Sequence, residues 1–578
     1  MTPLRRLLQY FDLFRLPLLL GGLAVIGSSV FSLAKPLIVG RAVDGLTAGV
    51  NRTALMQFAA LYIGASACQG IFLYLQRWII IGVSRKMEYT MRRDFYGHLQ
   101  SLPITFYNEH RTGDLMSRAT NDLSSVRMLI GPAVMHSFSS LLIVAGAFVM
   151  MFRINHALAL VSLAAVPVVA GLAKVFGARI HDRFKDVQDY FGDLSARVQE
   201  NLSGVRVVRA FSQESNEIST FKRMNREYVE RNRILIKLTA VFYPLLHVLI
   251  GVMFVVIFFL GTRRIIGGTL TLGEFVAFQF YLGRMIWPLI ALGWVINLFQ
   301  RGMASMGRLS YVWDQSPAAD PDEPCIPARP EGRIEVRNLD FSYGTTPVLH
   351  DVSLRIEPGQ TIGIVGRTGS GKSTLLSLLT GLYSPPPRSI FIDGCALESI
   401  PVATLRSMIG VVPQETFLFS DSIAENIRVG RADADDVEVH EVAELAGLGG
   451  DLVTFPDGMN TVVGERGITL SGGQKQRTAI ARAIVRDPMI LLLDDSLSAV
   501  DTATEERILR ALREIRRGRT VVVVSHRVSS VKDADAIVVL DEGRIVERGT
   551  HEALIGLGGY YANLYRRQAL EEEIEEIA

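Results

Sequence analysis

The stretch QTIGIVGRTGSGKSTLLSLL, residues 360–379, runs from an apolar strand pattern through a glycine-rich loop into an apolar helix pattern. Its loop residues Gly366, Arg367, Thr368, Gly369, Ser370, Gly371, Lys372 and Ser373 match G-x-x-x-x-G-K-[ST] in the strand, loop and helix context that the motif requires. Glycines let backbone N–H groups turn inward around phosphate oxygens, and the helix that continues through Thr374 adds the positive end of its dipole. Lys372 supplies a point charge for the terminal phosphates, and the Ser373 hydroxyl is placed to coordinate Mg²⁺. An α/β phosphate-binding domain is therefore expected around this segment.

Further along, ILLLDDSLSAVD (490–501) is a second apolar strand, ending on Asp494, which would deliver a carboxylate to the Mg²⁺ shell. Between the two lie VVPQETFLF, which contains Gln414, and LSGGQKQR (470–477). Ser471, Gly472 and Gly473 offer a hydroxyl and bare N–H groups at a helix start, a second anion-binding nest. One chain thus carries two phosphate-holding devices about a hundred residues apart in sequence.

The first half of the chain reads differently. Of 578 residues, 49% are hydrophobic, the net charge is +2 and the mean hydropathy is +0.27, too apolar for an ordinary soluble enzyme. The near-neutral balance argues against nucleic acid as a partner. Six stretches are long and apolar enough to span a bilayer, at about 16–40, 56–81, 130–152, 156–178, 240–262 and 273–299. The first is too long for a signal peptide and lacks a cleavage pattern, so it reads as a retained span. Connections 82–129 and 179–239 are long, helix-patterned and rich in arginine, which places them and both termini in the cytoplasm by the positive-inside tendency. Helices are expected to project well past the membrane.

Charges in or near the spans bear on function. Lys35 and Arg41 lie near the outer end of the first span, where they can snorkel to the interface. Arg284, in FQFYLGRMIWPL, is deeper; it is either a structural arginine paired between helices or a group lining a polar cavity. The three cysteines, Cys68, Cys325 and Cys395, show neither disulfide-framework density nor metal-ligand spacing and are expected to be free thiols. The boundaries read as a membrane domain at 1–315, a Pro-rich linker at 316–331, a nucleotide domain at 332–568 and an acidic tail at 569–578.

Together, LSGGQ, the phosphate loop, VVPQE, the ILLLD strand, SAVD and VVVVSHR resemble the ATP-binding domain of ABC transporters. With six preceding spans, the whole chain resembles an exporter-type half-transporter. The fold class implied is multi-domain: an all-α polytopic membrane domain followed by an α/β P-loop NTPase of ABC type. The resemblance implies ATP and Mg²⁺ as cofactors. It also implies that Tyr343 in FSYG stacks on adenine, with a core aromatic as the alternative. Gln414 would touch Mg²⁺ and the attacking water, and His526 the γ-phosphate. Asp501 would communicate across the dimer. Leu470, Ser471, Gly472, Gly473 and Gln474 would close over the ATP held by a partner's phosphate loop, so a second half-transporter is required. FYNEHRTGDLMSRATND (106–122) and SGVRVVRAFSQE (203–214) resemble the segments carrying coupling helices, the second of which typically reaches the partner's nucleotide domain.

In the family pattern the residue after the Mg²⁺ aspartate is a glutamate that acts as general base. Here it is Asp495, one methylene shorter, and general-base contributions of roughly 10²–10⁴ depend on hydrogen-bond reach. The site on this chain's own phosphate loop is therefore expected to hydrolyse ATP slowly. This favours a heterodimer of the bacterial multidrug-exporter kind over a homodimer in which Asp495 works less well. The implied function is export of amphipathic or hydrophobic compounds across the cytoplasmic membrane. A homodimeric lipid flippase and an ATP-gated channel or regulatory subunit are the other readings left open.

Overall fold

The computed structural model describes residues 2–47, 49, 52–317, 320–327, 329–464, 470–496 and 518–577, the side chains of 165, 166, 168–170, 173, 174 and 571–577 apart. The chain divides into two compact units, one of Met1–Gln100 and Gly113–Gln315, the other of Ser101–Thr112 and Ser316–Ala578.

The first unit is helical. Five helical segments are long and apolar enough to cross a membrane among the described residues: Arg15–Thr47, Arg52–Ser101, Thr112–Ile154, Glu214–Ile266 and Leu272–Trp313. The remaining expected span, about 156–178, falls within the helix His156–Ser203, where several side chains lie outside the described set. At about 1.5 Å per residue these helices are roughly 50–80 Å long, well beyond a hydrocarbon core of about 30 Å. Leu19, Ile63, Trp78, Phe258, Phe259 and Trp287 are all exposed, as lipid-facing or partner-facing side chains must be.

Small residues and polar clamps set the packing of this unit. A Cβ at Gly273 would lie 1.9 Å from the Gly40 carbonyl oxygen, so the first and last long helices meet where only glycine fits. Asp44 fastens the same crossing, accepting from the Gly273 N–H and the Thr271 hydroxyl, each at 2.7 Å. Several arginines of the long connections are paired: Glu88, 7% exposed, takes Arg92 at 2.9 Å, Arg85 at 3.2 Å and Arg127 at 3.3 Å. Asp122, also buried, holds Arg308 and accepts from Ser305 at 2.9 Å. The N-terminal helix Pro3–Asp12 is tied down by Arg6, which bonds Asp314 at 2.9 Å, and by Tyr10, which donates to Asp94 at 3.0 Å.

The second unit is α/β. Its strands are β1 (Ile334–Tyr343), β2 (Thr346–Ile356), β3 (Thr361–Val365), β4 (Ile390–Ile392), β5 (Cys395–Ala396), β6 (Ile409–Val412), β7 (Ile490–Asp494), β8 (Thr520–Val524), β9 (Ala536–Asp541) and β10 (Arg544–Gly549). A four-stranded antiparallel sheet has the order β2-β1-β4-β5, and a six-stranded sheet the order β10-β9-β3-β8-β7-β6. In the larger sheet β9, β3, β8, β7 and β6 are parallel, which requires cover on both faces; hence every residue of β3 and β8 is buried. The apolar runs TIGIV, ILLLD and TVVVV are what that cover demands.

Two of the three cysteines depart from the free-thiol expectation. Cys325 and Cys395 form a disulfide with Cα atoms 5.8 Å apart, and Cys68 is free. The Pro-rich segment is laid beside β5, with the Cys325 N–H donating to the Ser399 carbonyl at 2.7 Å. Seventy residues of sequence separate the pair, so spacing carried no sign of it. At the C-terminus, the expected tail continues a helix, Tyr560–Ile577.

Candidate functional site

Parallel strands in register bring their carboxyl ends to one edge, and there ligands of α/β sheets bind. Ile364 of β3 pairs with Val524 of β8, and Val524 with Asp494 of β7. Val412 of β6 pairs with Leu493. Gly366, Asp495, His526 and Gln414 therefore each lie within two residues of one row across the sheet, although 160 positions separate the first from the last in sequence.

A cavity of about 320 Å³ opens at that edge, lined by Thr368, Gly369, Gly371, Lys372, Ser373, Thr374, Gln414, Asp494, Asp495 and His526, with Val348 and Val524 as its apolar walls. The phosphate loop is held by close approach: a Cβ at Gly366 would meet the Leu540 carbonyl oxygen at 2.0 Å. Gly371, at φ 98°, caps the helix Lys372–Leu379. Ser370 of the loop is buried, and the exposed Arg367 reaches over the Tyr560 ring at 5.9 Å.

Lys372 is 5% exposed and its ammonium donates to the carbonyls of Gly366 at 2.9 Å and Arg367 at 2.8 Å. Burial pulls its pKa below the ordinary lysine value, with Asp494 and Asp495 opposing that pull. Burial likewise raises the Asp494 carboxyl above the usual aspartate value; a hydrogen bond from Ser373 works against it and the neighbouring Asp495 charge adds to it. Ser373, Asp494 and the exposed Gln414 form an all-oxygen donor set beside the phosphate cradle, which fits a hard cation such as Mg²⁺ that also takes phosphate oxygens. No group of three or more His, Cys, Asp or Glu residues able to hold a metal occurs among the described residues.

Asp495 is buried and has a left-handed backbone, φ 42°; its N–H donates to the Val524 carbonyl at 2.9 Å and its Oδ1 accepts from the His526 N–H at 3.5 Å. Tyr343 does not line the cavity, but its hydroxyl reaches Thr374 Oγ1 at 3.4 Å and its ring stands edge-on to Tyr383 at 5.0 Å.

The LSGGQ residues are placed elsewhere. Ser471 caps the helix Gly472–Ile484 in a reciprocal box with Gln474, and Gln474 also donates to Asp451 at 3.0 Å. Leu470 is buried, Ser471 and Gly472 are exposed, and none of Leu470, Ser471, Gly472, Gly473 or Gln474 lines the cavity. Asp501 lies outside the described residues. Motif reading passed over Asn426 and Arg482, which secure the segment after Gln414. Asn426 is fully buried and exchanges hydrogen bonds with the Phe419 backbone at 2.8 and 2.9 Å; Arg482 donates to the Phe417 carbonyl at 2.9 Å and to Asn426 Oδ1 at 3.0 Å. A polar pair amid apolar helical positions was the available signal, but no motif marks it.

Residues 18–289 match the ABC transporter transmembrane region and residues 349–498 the ABC transporter family. A probable multidrug resistance ABC transporter ATP-binding/permease protein of Bacillus subtilis (strain 168), YheI, is 38% identical over 98% of this chain and 98% of its own length. The multidrug resistance-like ATP-binding protein MdlA of Escherichia coli (strain K12) is 37% identical over 95% of this chain and 93% of its own. Among solved structures, a bacterial Atm1-family ABC exporter with ATP bound superposes with a TM-score of 0.79 at 28% identity, covering 96% of this chain and 99% of that one.

Proposed function

Since the chain belongs to the ABC transporter family, as an ATPase coupled to transport and built as one half of a dimer, we propose that it exports amphipathic compounds across the cytoplasmic membrane beside a different second half. The observation that carries this reading is the division of labour within the chain. One cavity gathers the phosphate loop, Asp494, Gln414 and His526, while the LSGGQ helix start lies outside that lining with Ser471 and Gly472 exposed, as a surface offered to a partner would be. Two relatives, one named a probable multidrug resistance transporter and the other a multidrug resistance-like protein, support the cargo class.

In this reading the loop N–H groups and Lys372 hold the phosphates of ATP, and Tyr343 flanks the base. Ser373, Gln414 and Asp494 would hold Mg²⁺, which when bound neutralises charge on the β- and γ-phosphates. Lys372 gives up its contacts with the loop carbonyls to face the phosphates. Asp495 orients water from a carboxylate retracted by about 1 Å relative to a glutamate, a misplacement of the order that costs about 10²-fold in rate. His526 is positioned for the γ-phosphate beside it. The exposed Val207 and Phe211, at the short helix Val205–Ala210, suit docking on a partner's nucleotide unit. The arginine-rich connections support cytoplasmic termini.

Purification of this chain alone tests the heterodimer reading. Slow ATPase that rises when a second half-transporter with a glutamate at the equivalent position is added supports it; robust ATPase and transport by the chain alone overturn it. Uphill, ATP-dependent accumulation in inside-out vesicles separates export from a gated channel.

A further inference from the structure

Arg284 and Lys35 are two cations within the membrane-spanning part of the first unit for which no balancing acid lies within salt-bridge distance among the described residues. Arg284 is half-buried on the helix Leu272–Trp313, and its hydrogen-bond partner is a neutral one, the buried Ser32 hydroxyl. Lys35, one helical turn from Ser32, is within electrostatic reach of Arg284 and sits over the Tyr62 ring at 5.8 Å. Among the described residues neither cation has a carboxylate within salt-bridge distance, unlike Arg6, Arg127 and Arg308 of the same unit.

The acids on the packed elements are out of range or engaged. Asp44 is nine residues beyond Lys35 and Glu274 ten before Arg284, about 13–15 Å along a helix axis. Asp44 holds Thr271 and Gly273, and Glu274 closes the Thr271 capping box. On Arg52–Ser101 the first acid is Glu88, and Thr112–Ile154 carries none after Asp122. Two positive charges close together within a span are costly unless an anion meets them.

A cavity of about 370 Å³ adjoins Arg284, lined by Gln279, Phe280, Gly283 and Arg284 itself. Its wall combines the guanidinium with an exposed aromatic ring, Phe280, and with the Gln279 amide, whose Oε1 is buried without a hydrogen-bond partner. Tyr281 is committed, donating to the Leu33 carbonyl at 2.6 Å, and so fixes the helix that presents Arg284. A cation beside an aromatic face matches a molecule with one acidic head and an apolar body, and the Gln279 Oε1 acceptor is left for a donor elsewhere on that molecule or for water.

We infer that Arg284 and Lys35, with Ser32, Gln279 and Phe280, form a binding site for the head group of an amphipathic anion, a carboxylate or phosphate ester on an apolar body. The site deepens the export reading by naming the charge of the cargo, and it rests on that reading only for the direction of movement. Binding is measured without nucleotide, so failure of export and failure of the site are distinguishable.

The test uses the full chain in phosphatidylcholine nanodiscs with pyrenebutanoate and its methyl ester as matched probes. The wild type is expected to bind the carboxylate at least about tenfold more tightly than the ester, the factor expected of one desolvated charge pair. Arg284→Gln and Lys35→Gln should each erase most of that preference while ester binding persists, and Arg284→Lys should keep much of it. Phosphatidylglycerol in the nanodisc that displaces the carboxylate assigns the site to a lipid head group; no displacement assigns it to a free amphiphile, and both support an anion site. Equal binding of the two probes by the wild type, a comparison that needs no variant to fold, overturns the inference. So does a preference that survives both glutamine substitutions.

Discussion

Asn108 donates from Nδ2 to the hydroxyl of Tyr383 at 2.7 Å. Asn108 lies on the short helix Ile104–Glu109, which belongs to the nucleotide-binding unit although its sequence falls in the first long connection between spans. Tyr383 stands against Tyr343, and Tyr343 reaches Thr374, so four side chains form a continuous run from the connection to the phosphate loop. Removing the first bond by Asn108→Ala or Tyr383→Phe costs about 1 kcal/mol. ATP affinity should stay within about fivefold, while the increment of ATPase caused by cargo should fall by at least half. Unchanged stimulation in both variants would show that the run does not transmit.

Lengthening the acid at the hydrolytic position should restore reach. Asp495→Glu is expected to raise ATPase of the chain by about tenfold or more, and Asp495→Asn to lower it further, as general-base effects of about 10²–10⁴ allow. Phosphate release under saturating ATP measures both. No gain in the glutamate variant would place the slow step elsewhere.

The acid and alkaline limits of nucleotide binding should both move toward neutrality. Burial raises the Asp494 carboxyl above its usual 3.8, so the carboxylate is lost, and Mg²⁺-dependent affinity with it, as pH falls through a value higher than an ordinary aspartate's. Burial lowers the Lys372 ammonium below 10.5, so phosphate affinity fades as pH rises through a value lower than an ordinary lysine's. Titrating a fluorescent ATP analogue with and without Mg²⁺ separates the limbs; only the acid limb should depend on the metal.

Gly371→Ala should abolish tight nucleotide binding. At φ 98° the added Cβ would sit 2.6 Å from the buried Leu349 side chain and 3.2 Å from the Val348 carbonyl, a strain of about 1–3 kcal/mol at the start of the phosphate-binding helix. Loss of ATP-induced thermal stabilisation by at least about tenfold in ligand concentration is the expected readout.

Thiol titration of the denatured, unreduced protein should find one reactive cysteine, Cys68, and full reduction should release Cys325 and Cys395. Closing a 70-residue separation stabilises by about 4 kcal/mol on the chain-entropy account, so the reduced nucleotide unit should unfold at lower denaturant. Three reactive thiols before reduction would contradict the pairing.

Local chemistry made much of this protein legible in the chain. A phosphate cradle needs its glycines and lysine within eight consecutive residues, a spanning helix needs a long apolar run, and a doubly covered parallel strand needs one such as TVVVV. Those constraints are contiguous, so GRTGSGKS, ILLLD and the spans mark the two kinds of unit in the sequence itself. The strand order β6-β7-β8-β3 was decided only in three dimensions, and with it the meeting of Gln414, Asp494, Asp495 and His526 with the loop in one cavity. The same holds for the disulfide across 70 residues, for Asn426 and Arg482 behind the Gln414 segment, and for Arg284 reaching Ser32 on another helix. Each of these depends on which distant surfaces pack together, a balance of many small burial terms that no single stretch of sequence records.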